Sequence, residues 1–250
     1  MLKKSRLYLS TIDPQAGELA RKYGIGVEIA DFCTAANMDD GFRQTDAAVQ
    51  EQIRDVLGRM LHGPFNELFP CAIDPMARKL AAFRYRQALT LARHYGAQKL
   101  ILHGGFHPRT YYPCWYVEQS VLFWREFLGA NPGDYRICLE NVLEDTPEML
   151  LSIVEQVNDP RLALCLDVGH VNAYSRVPVT DWVKTWGTYL SHAHIHNNDG
   201  TADSHSALHM GTLDVESVLQ TLDHATITLE LPEIDGAVDW LTRHGGILDE

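Results

Sequence analysis

The sequence predicts a single (β/α)₈ TIM barrel of the α/β class, with residues 1–250 as one domain. Three observations predict it. The chain has 250 residues, the usual length of eight strand–helix units. Eight short apolar runs alternate with longer segments of helical spacing, the pattern of parallel strands joined by right-handed crossovers. Six of those runs deliver His, Asp or Glu at the same end.

In chain order the strands are expected at Leu7–Ser10, Val27–Ala30, Met60–His62, Lys99–His103, Arg136–Glu140, Leu162–Asp167, Leu190–His196 and Thr226–Leu231. The clearest helix runs from Pro75 to Tyr95. Leu80, Phe83, Ala88, Leu91 and Ala92 are read as its apolar face, and Arg78, Arg84, Arg86 and Arg93 as its solvated side. Gly96 follows as the C-cap. Thr146-Pro147-Glu148 signals a second helix, with a cap, then Pro at the first helical position, then an acid. Asp214 is read as the cap of a third, ending near Leu222. The longest loops are expected at 104–116 and 197–212. Trp115, Trp124, Trp182 and Trp186 are assigned to packing in the helical shell. No Gly-rich dinucleotide fingerprint follows the first strand, which favours a closed barrel over an open doubly wound sheet.

Composition narrows the function. Hydrophobic residues make up 46% of the chain, enough for a large core. The formal net charge of −12 argues against binding nucleic acid through a broad basic face. Five cysteines without a CxxC pair suggest a reducing, cytoplasmic setting. The basic Met1–Arg6 stretch leads into an apolar run that Asp13-Pro14 ends too early for a signal peptide. No run approaches the length of a membrane span. The sequence leaves a homo-oligomer open.

The chemistry is expected where the apolar runs stop. They end at His62, His103, Glu140, Asp167 and Glu230, and the seventh strand carries His192, His194 and His196. In a barrel these ends converge on one pocket. A lone His or carboxylate at a strand end is more often a core residue or a cap. Six converging strand ends are not explained that way, because a charge on a doubly buried strand is costly unless paired or metal-bound. Asp167-Val-Gly-His170 and Asp203-Ser-His205 extend the set into the following loops. Mixed imidazole and carboxylate donors suit Zn²⁺, Mn²⁺, Fe²⁺ or Co²⁺ better than Ca²⁺ or Mg²⁺. The expected cofactor is one to three divalent ions, Zn or Mn foremost.

From about Val27 to Leu231 the chain resembles the xylose isomerase-like barrel superfamily. The stretches that carry the resemblance are LHGPF at His62, LILHGG at His103, CLENV at Glu140 and LCLDVGH at Asp167 and His170. HIHNNDG from His194, DSH at Asp203 and TLELP at Glu230 complete it. In the epimerase branch, the resemblance implies one divalent ion on Glu140, Asp167, His194 and Glu230. There Glu140 and Glu230 also act as the acid/base pair beside a substrate carbonyl. In the endonuclease IV branch it implies three zinc ions. His62, His103 and Glu140 hold one, the four residues just named hold the second, and His170, Asp203 and His205 hold the third. The sequence departs from the family at Ala207-Leu208-His209-Met210-Gly211, where His209 replaces the first glycine of a Gly-x-Gly turn. Within HIH, a register change of two exchanges His194 for His196 as the ligand.

On the substrate side, Arg109 is a candidate for a phosphate or carboxylate, Tyr111 for a pocket wall, and Phe65, with Asn66 and Glu67, for the pocket mouth. His196 is a further substrate contact if His194 is the ligand. Arg43 and Arg176 are read as additional loop cations. The expected activity is a metal-dependent isomerase or epimerase acting on a small-molecule sugar or sugar phosphate. The alternative is a multinuclear phosphoesterase like the AP endonuclease family 2. The acidic charge favours the first and the complete ligand set favours the second.

Overall fold

The computed structural model describes residues 2–244 and 247–248. Eight parallel strands close into a barrel in sequence order. They are β1 (Leu7–Ser10), β2 (Gly26–Ile29), β3 (Arg59–His62), β4 (Leu100–His103), β5 (Ile137–Glu140), β6 (Leu162–Asp167), β7 (Leu190–Ile195) and β8 (Thr226–Leu229). All eight expected strands are present within two residues of their anticipated ends. A short parallel pair, Leu2–Lys3 with Ile247–Leu248, lies outside the barrel. Two residues are too few to carry an alternating signal, so the sequence did not announce it.

Each strand is buried on both faces, as a parallel barrel requires. Side chains two apart point to the same side. Met60, Ile101, Cys138 and Cys165 therefore share a face with His62, His103, Glu140 and Asp167. With Tyr8 and Ala163 they form a small apolar cluster separate from the main core. That cluster is the floor on which the polar residues stand. Register then sets the polar layer: His103 pairs with Glu140, Asp167 with His194, and His194 with Thr228.

The surrounding helices are α1 (Ala16–Tyr23), α2 (Ala35–Met38), α3 (Phe42–Gln52), α4 (Pro75–Tyr95), α5 (Pro113–Ala130), α6 (Glu148–Val157), α7 (Val168–Tyr174), α8 (Val179–Trp186), α9 (Val215–Thr221) and α10 (Asp235–His244). α4 has its expected limits. Asp74 caps it through Met76 N, and Gly96 ends it with a left-handed turn at φ 64°. Its buried face is the expected one at Ala88, Leu91 and Ala92 but not at Leu80 and Phe83. Ala81, Tyr85, Ala88, Leu89, Leu91, Ala92 and Tyr95 face the core, while Leu80 and Phe83 are 42% and 46% exposed. The large Tyr85 and Tyr95 side chains, spaced with alanines at helical intervals, set the face and turn Leu80 and Phe83 outward.

Other differences are local. α6 starts at Glu148 and has no side-chain cap, so Thr146 does not perform the capping role. α5 begins at Pro113, which shortens the expected loop to 104–112. Arg43 lies within α3 and is not a loop cation. Asp214 caps α9 as expected, accepting from Ser217 N. Trp124, Trp182 and Trp186 are fully buried in the shell, and half-buried Trp115 donates to Cys71 O. Among the described residues no helix is long and apolar enough to cross a membrane.

Candidate metal centre

The C-terminal ends of the strands bring the expected ligands together. Glu140, at the end of β5, is the hub. Its Oε2 lies 3.1 Å from His62 Nε2 and 3.6 Å from His103 Nε2. Its Oε1 lies 3.4 Å from His194 Nδ1 and 3.5 Å from His170 Nδ1. His194 Nδ1 is also 3.1 Å from Glu230 Oε2 and 3.9 Å from Asp167 Oδ2. One donor atom from each of Glu140, Asp167, His194 and Glu230 falls within 4.8 Å of all the others, and His62, His103 and Glu140 form a second such group. A third trio meets at Asp203 Oδ2, 3.1 Å from His170 Nε2 and 3.3 Å from His205 Nε2.

The donor chemistry fits divalent ions. His194 Nδ1 and Nε2 and Asp203 Oδ1 are buried without a hydrogen-bond partner among the described residues. Such orphans cost free energy, and cation ligation accounts for His194 Nδ1 and Asp203 Oδ1, while His194 Nε2 lies 3.0 Å from Glu28 Oε1. Two other imidazoles are directed by the backbone. His170 Nδ1 lies 2.8 Å from Asn141 O, which turns Nε2 toward Asp203, and His205 Nδ1 lies 2.9 Å from Glu230 O.

The cluster is strongly polarised. Burial pushes Glu140 upward, but the charges of His194 and His103 and hydrogen bonds outweigh it and hold the carboxyl well below its usual range. Burial likewise opposes ionisation of Asp167, and His170 and His196 bring it to about 2. Glu230 is lowered against burial by His194. Asp203 is lowered against burial by His170 and His205. Burial depresses His103 to about 4, leaving a neutral ligand. His170 and His205 rise against burial to about 10 and 9, beside Asp167 and Asp203. An ion at these positions would compete with the imidazole protons and release them.

His194 supplies the nitrogen of the four-residue group. His196 instead places Nε2 3.1 Å from both oxygens of Asp167 and stacks on His205 at 3.9 Å. Gly169 is obligatory for this arrangement, because a Cβ there would sit 1.9 Å from His196 Cε1. Gly211, which survives in the altered turn, is similarly constrained by Asn197 Oδ1 at 2.1 Å from a built Cβ. His209 itself is exposed and lines a 780 Å³ cavity beside His205, with Leu208, Met210 and Trp240.

Phe65 belongs to the site: its ring stacks on His103 at 4.2 Å and meets His62 edge-on at 5.7 Å. Tyr111 packs on Phe69 at 6.1 Å. Arg109 and Arg176 are exposed, and neither has a hydrogen bond or ion pair among the described residues. Two contributors were missed. Asn141 clasps the Asp167 backbone, donating to its O at 3.0 Å and accepting from its N at 2.9 Å. Glu28, fully buried in the middle of β2, accepts from Thr228 Oγ1 at 2.6 Å and His192 Nε2 at 2.9 Å. Its other oxygen is 3.0 Å from His194 Nε2. A carboxylate between Val27 and Ile29 in a doubly buried strand was the available signal.

A closed barrel whose strand ends share one carboxylate-and-imidazole cluster is the architecture of a known class. The xylose isomerase-like TIM barrel family matches residues 18–244, and the chain belongs to it. The chain is 28% identical over 193 residues to the uncharacterized protein MJ1311 of Methanocaldococcus jannaschii, a match covering 72% of this chain and 66% of that protein. The matched stretch therefore spans just under two thirds of that relative. A D-tagatose 3-epimerase-like protein superposes with a TM-score of 0.76 and 21% identity, covering 96% of each chain. The TTHB071 protein of Thermus thermophilus, solved after soaking with ZnCl₂, gives 0.74 and 24%, covering 96% of this chain and 98% of that one. At these identities the two structures show the shared fold.

Proposed function

We propose that the protein is a divalent-metal-dependent isomerase or epimerase acting on a sugar or sugar phosphate. The observation that carries this reading is the group formed by Glu140, Asp167, His194 and Glu230 around one point at the barrel mouth. When bound there, a Zn²⁺ or Mn²⁺ ion supplies positive charge that polarises substrate oxygens. Glu140 and Glu230 come from β5 and from the residue following β8, so a substrate carbon between them meets a carboxylate on each side. Both carboxyls are held ionised, so either can accept a proton from the carbon beside a carbonyl; the other returns one to the opposite face after taking up a proton from solvent or a substrate hydroxyl. Glu230 is the more accessible, at 8% exposure against 1% for Glu140, and is assigned first contact with substrate. Phe65 walls the mouth and excludes water.

The test is exchange of solvent deuterium into carbon-bound positions across a panel of ketoses and their phosphates, using metal-loaded protein. Glu230→Gln keeps the shape and should lower exchange by roughly 10²–10⁴-fold, with KM little changed. No exchange with any substrate, together with Glu140-dependent hydrolysis of phosphate esters, would replace this reading. The replacement is a multinuclear phosphoesterase, which the His62–His103–Glu140 group and the His170–Asp203–His205 trio favour.

A further inference from the structure

We propose that Glu28 is a positioning residue for the metal centre: anchored by His192 and Thr228, it engages His194 Nε2 and keeps Nδ1 turned toward the ion. The inference rests on the metal-dependent reading above. The two nitrogens of an imidazole are not equivalent, and the partner of one decides what the other does. His194 Nδ1 points at Glu140, Glu230 and Asp167. Nε2 points the opposite way, at Glu28 Oε1. The separation of 3.0 Å is that of a hydrogen bond, although the ring is not aligned with it and neither nitrogen has a hydrogen-bond partner.

Glu28 is itself fixed. Its Oε2 takes Thr228 Oγ1 at 2.6 Å and His192 Nε2 at 2.9 Å. His192 in turn has its Nδ1 2.7 Å from Thr226 Oγ1. Residues of β7 and β8 therefore clamp the one carboxylate carried by β2. A buried carboxylate with no further task is costly, and an apolar residue would fill the place at lower cost. A task for Oε1 explains its presence: at 3.0 Å from Nε2 it is placed to accept that proton when an ion takes Nδ1, which leaves the Nδ1 lone pair to the ion and raises the basicity of the ring. Carboxylates placed in this way behind a ligating histidine typically contribute 10- to 100-fold in metal affinity.

The experiment compares metal-stripped full-length wild type with Glu28→Gln, titrating Zn²⁺ and Co²⁺ against a competing chelator. Gln keeps the size but offers an NH₂ group, which favours the tautomer with the proton on Nδ1. The variant should bind the tightest ion about 10- to 100-fold more weakly. Its Co²⁺ absorption spectrum should change, and the rise in Tm produced by the ion should shrink more than the metal-free Tm. Thr228→Val, which removes one anchor and leaves both Glu28 and His194, should shift affinity in the same direction by less. It decides alone if Glu28→Gln does not fold. Unchanged affinity and spectrum in the folded variants overturn the role of Glu28 while leaving the metal site intact. If wild type binds no ion, the metal-dependent reading falls, and this inference with it.

Discussion

Replacing Gly169 by Ala tests how tightly the site is built. Gly169 is the second residue of α7, between Asp167 and His170. A Cβ there lies 1.9 Å from Cε1, 2.4 Å from Nδ1 and 2.5 Å from Nε2 of His196. The His196 ring has nowhere easy to go. It is fully buried, stacks on His205 at 3.9 Å, and places Nε2 3.1 Å from both Asp167 oxygens. Forcing in the methyl group costs about 1–3 kcal/mol as overpacking. Pulling His196 off a charged partner adds about 1.5–3 kcal/mol. Better helix propensity returns about 1 kcal/mol. The net loss is about 1.5–5 kcal/mol, or roughly 3–20 °C in Tm for a chain of this size. Thermal unfolding of metal-free protein measures it. Gly129→Ala in α5 is the control, because a Cβ there meets nothing within 4 Å. It should stabilise by about 0.4–1 kcal/mol. A Gly169→Ala protein melting within 2 °C of wild type (about 1 kcal/mol or less) would show that His196 is not held as described.

Three further outcomes follow from the site. His62→Ala with His103→Ala should lower the bound-ion count by one in elemental analysis and leave the Glu140–Asp167–His194–Glu230 ion in place; an unchanged count means that the two histidines hold nothing. Arg109→Ala should raise KM for phosphorylated substrates roughly 10-fold with kcat unchanged, the loss expected of one charged hydrogen bond; no effect returns Arg109 to an ordinary solvated cation. Duplex DNA containing an abasic site should not bind tightly at physiological salt, given the net charge of −12, and efficient incision by metal-loaded protein would reverse the ranking of the two activities.

Apolar runs that stop abruptly in a ligand made the barrel and its cluster readable, because burial on both faces forces long hydrophobic stretches and confines charge to strand ends. His62, His103, Glu140, Asp167, His194 and Glu230 all lie at that one mouth. Glu28 escaped for the same reason: it sits inside a strand, where attention to the ends passes over it. The exposure of Leu80 and Phe83 was hidden because helical spacing alone does not reveal which of two apolar stripes meets the core; the bulk of Tyr85 and Tyr95 decides it. His194 and His196 share one side of β7, so only the positions of Asp167 and Glu230 could assign their different partners. Arg109 has no packing or pairing to reveal its task, and its sequence context carried no more.

Glu140 faces two directions at once, with Oε1 toward His194 and Oε2 toward His62 and His103. One carboxylate thus belongs to a donor group that is complete without the two histidines and to a neighbouring group that depends on them. On the proposed metal-dependent reading, substitutions confined to β3 and β4 would add or remove a second ion without disturbing the donors of the first. Two substitutions would then separate one-ion from two-ion chemistry, and the forked carboxylate would make the number of ions a trait separable from the fold that holds them.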